Sequence, residues 1–291
     1  MDLLLPTNIK SDFHGYKSFI QLYNFIHQSN AAVCTISFEK TRVFDANLSA
    51  ILGAIIDILE QQKQISIVNM NQSIRDMLED NNFIEKSILE LKNQNSGNVI
   101  SFMKFTQYKD IEFMEYVMNE ILSKPSFPKH TKMLGKKINE SIFELFENAR
   151  THGKCNHIYT CGQIIKEEDI TRLEFTIVDM GKTIKYNVNE YLNSNLTGSE
   201  AIEWAMKSGH TTKTGDVSGG LGLDIIFEFI KLNKGRIQIV SSDGFWEYSN
   251  DKTEMKLFEY PFQGTIANIE FNLNDKSSYR LKEEIPLEDI F

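Results

Sequence analysis

Residues 144–153 read ELFENARTHG, with Glu144 and Asn148 four apart beside an apolar stripe of Leu134, Ile138, Ile142, Leu145, Phe146 and Ala149. Residues four apart on a helix are surface neighbours, so this carboxylate and amide share a face away from the packed stripe. Alone, the pair is equally compatible with an exposed polar stripe. A second stretch, FTIVDMG (175–181), is an apolar strand ending in Asp179 and Gly181. A carboxylate at a strand end can accept from an amine, and a glycine beside it lets backbone pass close to a ligand; an ordinary strand-to-turn step has the same residues. A third stretch, SGGLGLDIIFEFI (218–230), runs Gly219, Gly220 and Gly222 directly into an amphipathic helix. Free N–H groups and the positive end of the helix dipole at such a start suit a phosphate chain.

Two shorter matches fail on spacing. GKT at 181–183 suggests a P-loop, but the glycine that motif needs five residues before Gly181 is Thr176, inside a strand. Gly220-Leu221-Gly222 lacks the third glycine of a dinucleotide fingerprint, because Ile225 stands there. Cys155 and His157 have no second Cys/His pair at ligand spacing, so ordinary thiols are expected.

The elements that must position these residues follow from periodicity. AAVCTIS (31–37) and ISIVNM (65–70) read as strands around a helix carried by Leu48, Ile51, Leu52, Ile55, Ile56 and Leu59, and SIRDMLEDNNF reads as a further helix. The polar stretch LKNQNSGN (91–98) marks a boundary. VISFMKF reads as a strand, and DIEFMEYVMNEIL (110–122) as a helix stopped by PSFP (125–128). A helix near 131–151 leads to strands HIYTCGQII and RLEFTIVD, then a helix at 222–232 and strands RIQIVS and TIANIEF, with mostly antiparallel pairing expected.

The 291 residues are 41% hydrophobic with 20 Phe and 10 Tyr, enough for a sizeable core. A net charge of -9 argues against broad binding to nucleic acid. The three cysteines, Cys34, Cys155 and Cys161, suit a reducing compartment better than a disulfide framework. MDLLLPTNIKSDF lacks the features of a signal peptide, and AILGAIIDIL (50–59) is too short to span a bilayer. A cytoplasmic protein without a membrane association is expected.

In their order, E-x-x-x-N, D-x-G and G-G-L-G-L resemble the motifs of the GHKL ATPases, among them the ATP-binding domains of histidine kinases, anti-sigma serine kinases, type II topoisomerases, and Hsp90- and MutL-like proteins. QGTIANIEF (263–271) is similar to the family's closing Gly-Thr strand. The resemblance implies an α/β chain, an α+β sandwich. Residues 129–275 would form a Bergerat ATP-binding fold, with helices on one face of a mixed sheet. Before it would come a small α/β domain (1–95) and a connecting segment (96–128), and after it an acidic tail (276–291). It implies ATP and Mg²⁺ as cofactors, Asn148 on the magnesium, Asp179 on the adenine amino group, and Gly181 beside the base. Gly219, Gly220, Leu221 and Gly222 would lie at the phosphates, Thr265 near the nucleotide, and Glu144 where the family keeps a general base. Residues 185–218 correspond to its lid, with Lys213 as a phosphate contact. Thr183 and Ser218 replace glycines usual in the family.

Residues 31–84 faintly resemble a STAS domain, although Asp45-Ala46-Asn47-Leu48 offers no hydroxyl where regulatory STAS domains carry a phosphorylated serine. The expected function is that of a bacterial signalling protein: a serine/threonine-type protein kinase or an ATPase switch, acting on a protein partner that is STAS-like or another regulator. A homodimer is compatible with this. The alternative is a non-catalytic ATP-sensing module of a regulatory or defence system. Histidine autokinase activity is disfavoured, because no histidine precedes an acidic residue in a dimerising helix. A mechanical ATPase is disfavoured because only residues 272–291 follow the last strand.

Overall fold

The computed structural model describes residues 1–85, 98–207, 210 and 222–284. In chain order its elements begin β1 (Asp2–Leu4), β2 (Asn8–Ile9), α1 (Phe13–Gln28), β3 (Val33–Ser37), β4 (Val43–Phe44), α2 (Ser49–Leu59), β5 (Gln64–Val68) and α3 (Gln72–Asp80). Next come β6 (Val99–Thr106), α4 (Asp110–Val117), β7 (Lys129–His130), α5 (Lys132–Thr151), β8 (His157–Glu167), β9 (Ile170–Asp179), α6 (Ile184–Leu192) and α7 (Gly198–Ala205). The chain continues with α8 (Gly222–Asn233), β10 (Arg236–Ser249), β11 (Lys252–Asn272) and β12 (Ser278–Tyr279). The class is α+β. Among the described residues, no helix is long and apolar enough to cross a membrane.

The central element is a five-stranded antiparallel sheet in the order β10-β11-β9-β8-β6. Parallel pairing occurs elsewhere, in the sheet β1-β3-β5 and in two-stranded pairs. The strands and helix expected within 31–70 stand as β3, α2 and β5. Unanticipated in the sequence is α1, whose N-cap Asp12 accepts from the Gly15 N–H. The strand and helix expected within 96–128 stand as β6 and α4, but the segment is more than a connection, because β6 is the edge strand of the central sheet. Phe105 and Phe113 from this segment meet edge to face at 5.5 Å inside the core shared with α5, and that burial draws the segment into the sheet. Of the expected tail, β12 pairs with β7, and the Thr131 hydroxyl donates to Glu284 at 2.6 Å; residues 285–291 lie outside the described residues.

Side chains alternate across the sheet, so each strand serves two cores. On one face Phe175, Ile177, Ala267, Ile269, Ile237 and Ile239 pack under α4, α5 and α8. On the other, Tyr159, Val178, Ile266 and Val240 form a cross-strand row packed on α1 and α2. The next row on that face, Cys161–Thr176–Asn268–Gln238, is polar and equally buried. It meets Asn47, which is fully buried just ahead of α2. The Asn47 amide donates to Thr176 Oγ1 at 2.8 Å, to Asn268 Oδ1 at 3.2 Å and to Ser11 Oγ at 2.9 Å. Gln238 Oε1 accepts from the Asn268 amide and from Tyr16 of α1.

The free edge of β6 is also covered. The Phe102 N–H donates to the Asn81 carbonyl at 2.6 Å, and Ser101 O accepts from the Tyr116 hydroxyl.

Asn47→Ala orphans buried donors and acceptors on both sides of this seam. It is expected to lower the unfolding free energy by about 2 to 4 kcal/mol in urea denaturation. A loss below about 0.5 kcal/mol would show that the seam is not structural.

Candidate functional site

At the end of the sheet facing α5, the helix-side rows terminate in a cleft enclosing about 1280 Å³, its open mouth included. Glu144 and Asn148 of α5, Asp179 of β9 and Thr265 of β11 all line it. Asp179 and Thr265 sit directly opposite in the β9–β11 register. Ile177, Ala267 and Ile239, from the next row inward, give the cleft an apolar floor.

Three close backbone approaches fix the end of β9. Gly264 has φ +104°, and a Cβ there would fall 2.0 Å from the Asp179 carbonyl oxygen. A Cβ on Gly181 would fall 2.2 Å from the Gly153 carbonyl oxygen, which also accepts from the Lys182 N–H at 2.7 Å. Gly181 is thus required by Gly153, the residue just past α5, and this contact clips the Asp179 turn to the helix that carries Asn148. Thr183, found where a family glycine was expected, has φ -78° and caps α6 by accepting from the Tyr186 N–H. Its backbone conformation needs no glycine.

Asp179 is 6% exposed. Among the described residues its one hydrogen bond is from the Gly181 N–H, at 2.8 Å. Burial pushes its carboxyl up to about 7, and the Gly181 bond opposes that only in part. Cys155 is raised to about 12, mainly by burial and then by Asp179. Its thiol donates to Ala149 O at 3.1 Å and is unsuited to act as a thiolate.

The sequence reading missed several wall residues: His152, Lys182, Asn187, Trp204, His210, Asp224 and Phe227. His152 was accessible in principle, since it follows Asn148 by four on the same helix face. Trp204 and His210 carried no such signal. They come together because His210 Nδ1 donates to Trp204 O at 3.0 Å and their rings lie 4.6 Å apart. The roof helices are tied to the sheet by Asp243 of β10, which pairs with Lys185 of α6 at 3.0 Å and accepts from the Gly198 N–H of α7 at 3.1 Å. Gly222 is the first residue of α8, and the following Leu223 and Asp224 line the cleft. Lys213, Ser218, Gly219, Gly220 and Leu221 lie outside the described residues.

Compared with known proteins, the chain matches no family model and no curated protein.

The Asp179 geometry makes a stability prediction with a definite sign. The folded-state carboxyl titrates near 7 against an ordinary value of 3.8, so the folded state holds a proton that the unfolded chain has released. Stability from this group is complete below about pH 4 and is lost as pH rises to about 7. Asp179→Asn is therefore expected to be more stable than wild type at pH 8, by about 3 kcal/mol, with the gap closing towards pH 4. Thermal melts of the unliganded proteins across pH 4–8 test this. A pH-independent difference would contradict it.

Proposed function

We propose that the cleft binds Mg·ATP in the manner of the GHKL ATPases, and that the chain is a regulatory protein acting on a protein partner, as a kinase or an ATPase switch. The observation that carries this reading is the convergence of Glu144, Asn148, Asp179 and Thr265, drawn from three separate elements, on one cleft with an apolar floor. Asp179 supplies an acceptor for an exocyclic amine, set beside apolar side chains that suit a base. The start of α8 at the same cleft supports a phosphate site.

The donor set fits magnesium. Asn148 offers a side-chain carbonyl oxygen to the cleft; Mg²⁺ takes oxygen ligands and commonly completes its shell with phosphates and water. Bound there, the ion would neutralise phosphate charge. Glu144, one turn before Asn148 on the same wall, stands where the resemblance places a general base, and would take a proton from water or a hydroxyl.

Calorimetric titration of Mg·ATP tests the binding site. Wild type is expected to bind, and Asp179→Asn to bind at least about tenfold more weakly, one charge-assisted hydrogen bond being lost. Absence of binding by folded wild type would sink the reading. Glu144→Gln is expected to retain ATP affinity and lose turnover or phosphoryl transfer. Absence of both activities in wild type that binds ATP would favour a nucleotide sensor over an enzyme.

A further inference from the structure

Ser241 lies on β10 opposite Thr265, in the same cross-strand row as Asp179, and is fully buried. Three groups surround its hydroxyl. Gly264 O is 2.9 Å away and can only accept, so the Ser241 proton is committed to it. The Ile184 N–H, at the start of α6, can only donate, and does so to Ser241 Oγ at 2.9 Å. The third group is Thr265 Oγ1, at 3.1 Å. With the Ser241 proton already used, this contact requires Thr265 to be the donor. The Thr265 hydroxyl proton therefore points at Ser241, and its oxygen has only lone pairs left for the cleft.

Resting on the ATP reading above, we propose that Ser241 is a positioning residue that fixes Thr265 as a hydrogen-bond acceptor, so that the cleft floor selects a base with a primary amine and rejects a 6-oxo base. Directly opposed residues on neighbouring antiparallel strands have Cβ atoms about 4.5–5.5 Å apart, close enough for Asp179 and Thr265 to share one amino nitrogen. Its two hydrogens then meet one acceptor each. At pH 8 and above, where Asp179 has released its proton, a carbonyl in that place faces two acceptors and finds no donor.

Ser241 acts by keeping the Thr265 hydroxyl proton out of the cleft. Without it, the Thr265 hydroxyl is free to rotate and donate towards a bound carbonyl. A merely structural role for Ser241 would weaken all nucleotides alike, whereas loss of this proton control changes the ratio between them.

The test is calorimetric titration at pH 8, where Asp179 is ionised, with ATP, inosine triphosphate and N6-methyl-ATP. Wild type is expected to prefer ATP over inosine triphosphate by about a hundredfold, with N6-methyl-ATP between them. Ser241→Ala is expected to shrink the ATP-to-inosine triphosphate ratio about five- to tenfold. Ser241→Thr, which keeps the hydroxyl, is expected to preserve the ratio. Thr265→Val removes the acceptor without touching Ser241 and is expected to shrink the ratio as well; it decides the matter if Ser241→Ala does not fold. If wild type binds ATP but the ratio is unchanged in Ser241→Ala or in Thr265→Val, the proposal is overturned and the ATP reading stands. If folded wild type binds none of the three, both fall.

Discussion

Period-two alternation along β9 and β11 is the constraint on which the site depends. Thr176 and Asn268 point to the α1–α2 side, while Asp179 and Thr265, an odd number of residues further along, point to the cleft. A one-residue slip of β9 would exchange these faces, burying a carboxylate against Tyr159 and Ile266. Apolar rows tolerate such slips better than polar ones, because hydrophobic contact is not directional. The row Cys161–Thr176–Asn268–Gln238 does not tolerate them, since its groups are buried and each finds its partner at one register only. The seam with Asn47, on the side of the sheet away from the cleft, thus holds the register that places Asp179.

The cleft itself runs against stability. Among the described residues the buried Asp179 carboxyl has a single hydrogen bond, and its backbone carbonyl stands where a side chain at the positive-φ Gly264 would have to go. Such an arrangement persists only where the surrounding packing over-determines it. Here the over-determination is visible: Gly153 clips the turn to α5, Ser241 joins the start of α6 to Gly264, and Asp243 anchors both roof helices.

Much of the cleft was legible in the sequence because its residues lie at the ends of strongly patterned elements. Asp179 closes an apolar strand, Glu144 and Asn148 ride an unbroken helical stripe, and Thr265 begins the apolar run TIANIEF inside the last long strand. What was not legible depends on contacts distant in sequence. Nothing in FHGYKSFIQLYNFIHQ says that α1 packs on β11, and nothing in VISFMKFT says that it pairs with a strand near residue 160. The polar stretch 91–98, expected as a domain boundary, lies outside the described residues apart from Asn98. The sequence suggests a ligand beside Gly181, while the atoms a Cβ there would meet belong to Gly153, a partner set by tertiary packing.

The stopper on β6 bears on how copies of the chain can meet. An open sheet edge is a template on which another chain can add a strand. Here Asn81 takes the Phe102 N–H and Tyr116 occupies Ser101 O, so two edge positions are already spent on the chain itself. Asn81 belongs to the N-terminal half, which also covers the apolar row on the back of the sheet. Cutting the chain between the halves would not release a ready-made module. It would bare a sticky face and an open edge together, so evolution can exchange or lose the first half only if something else takes over both duties.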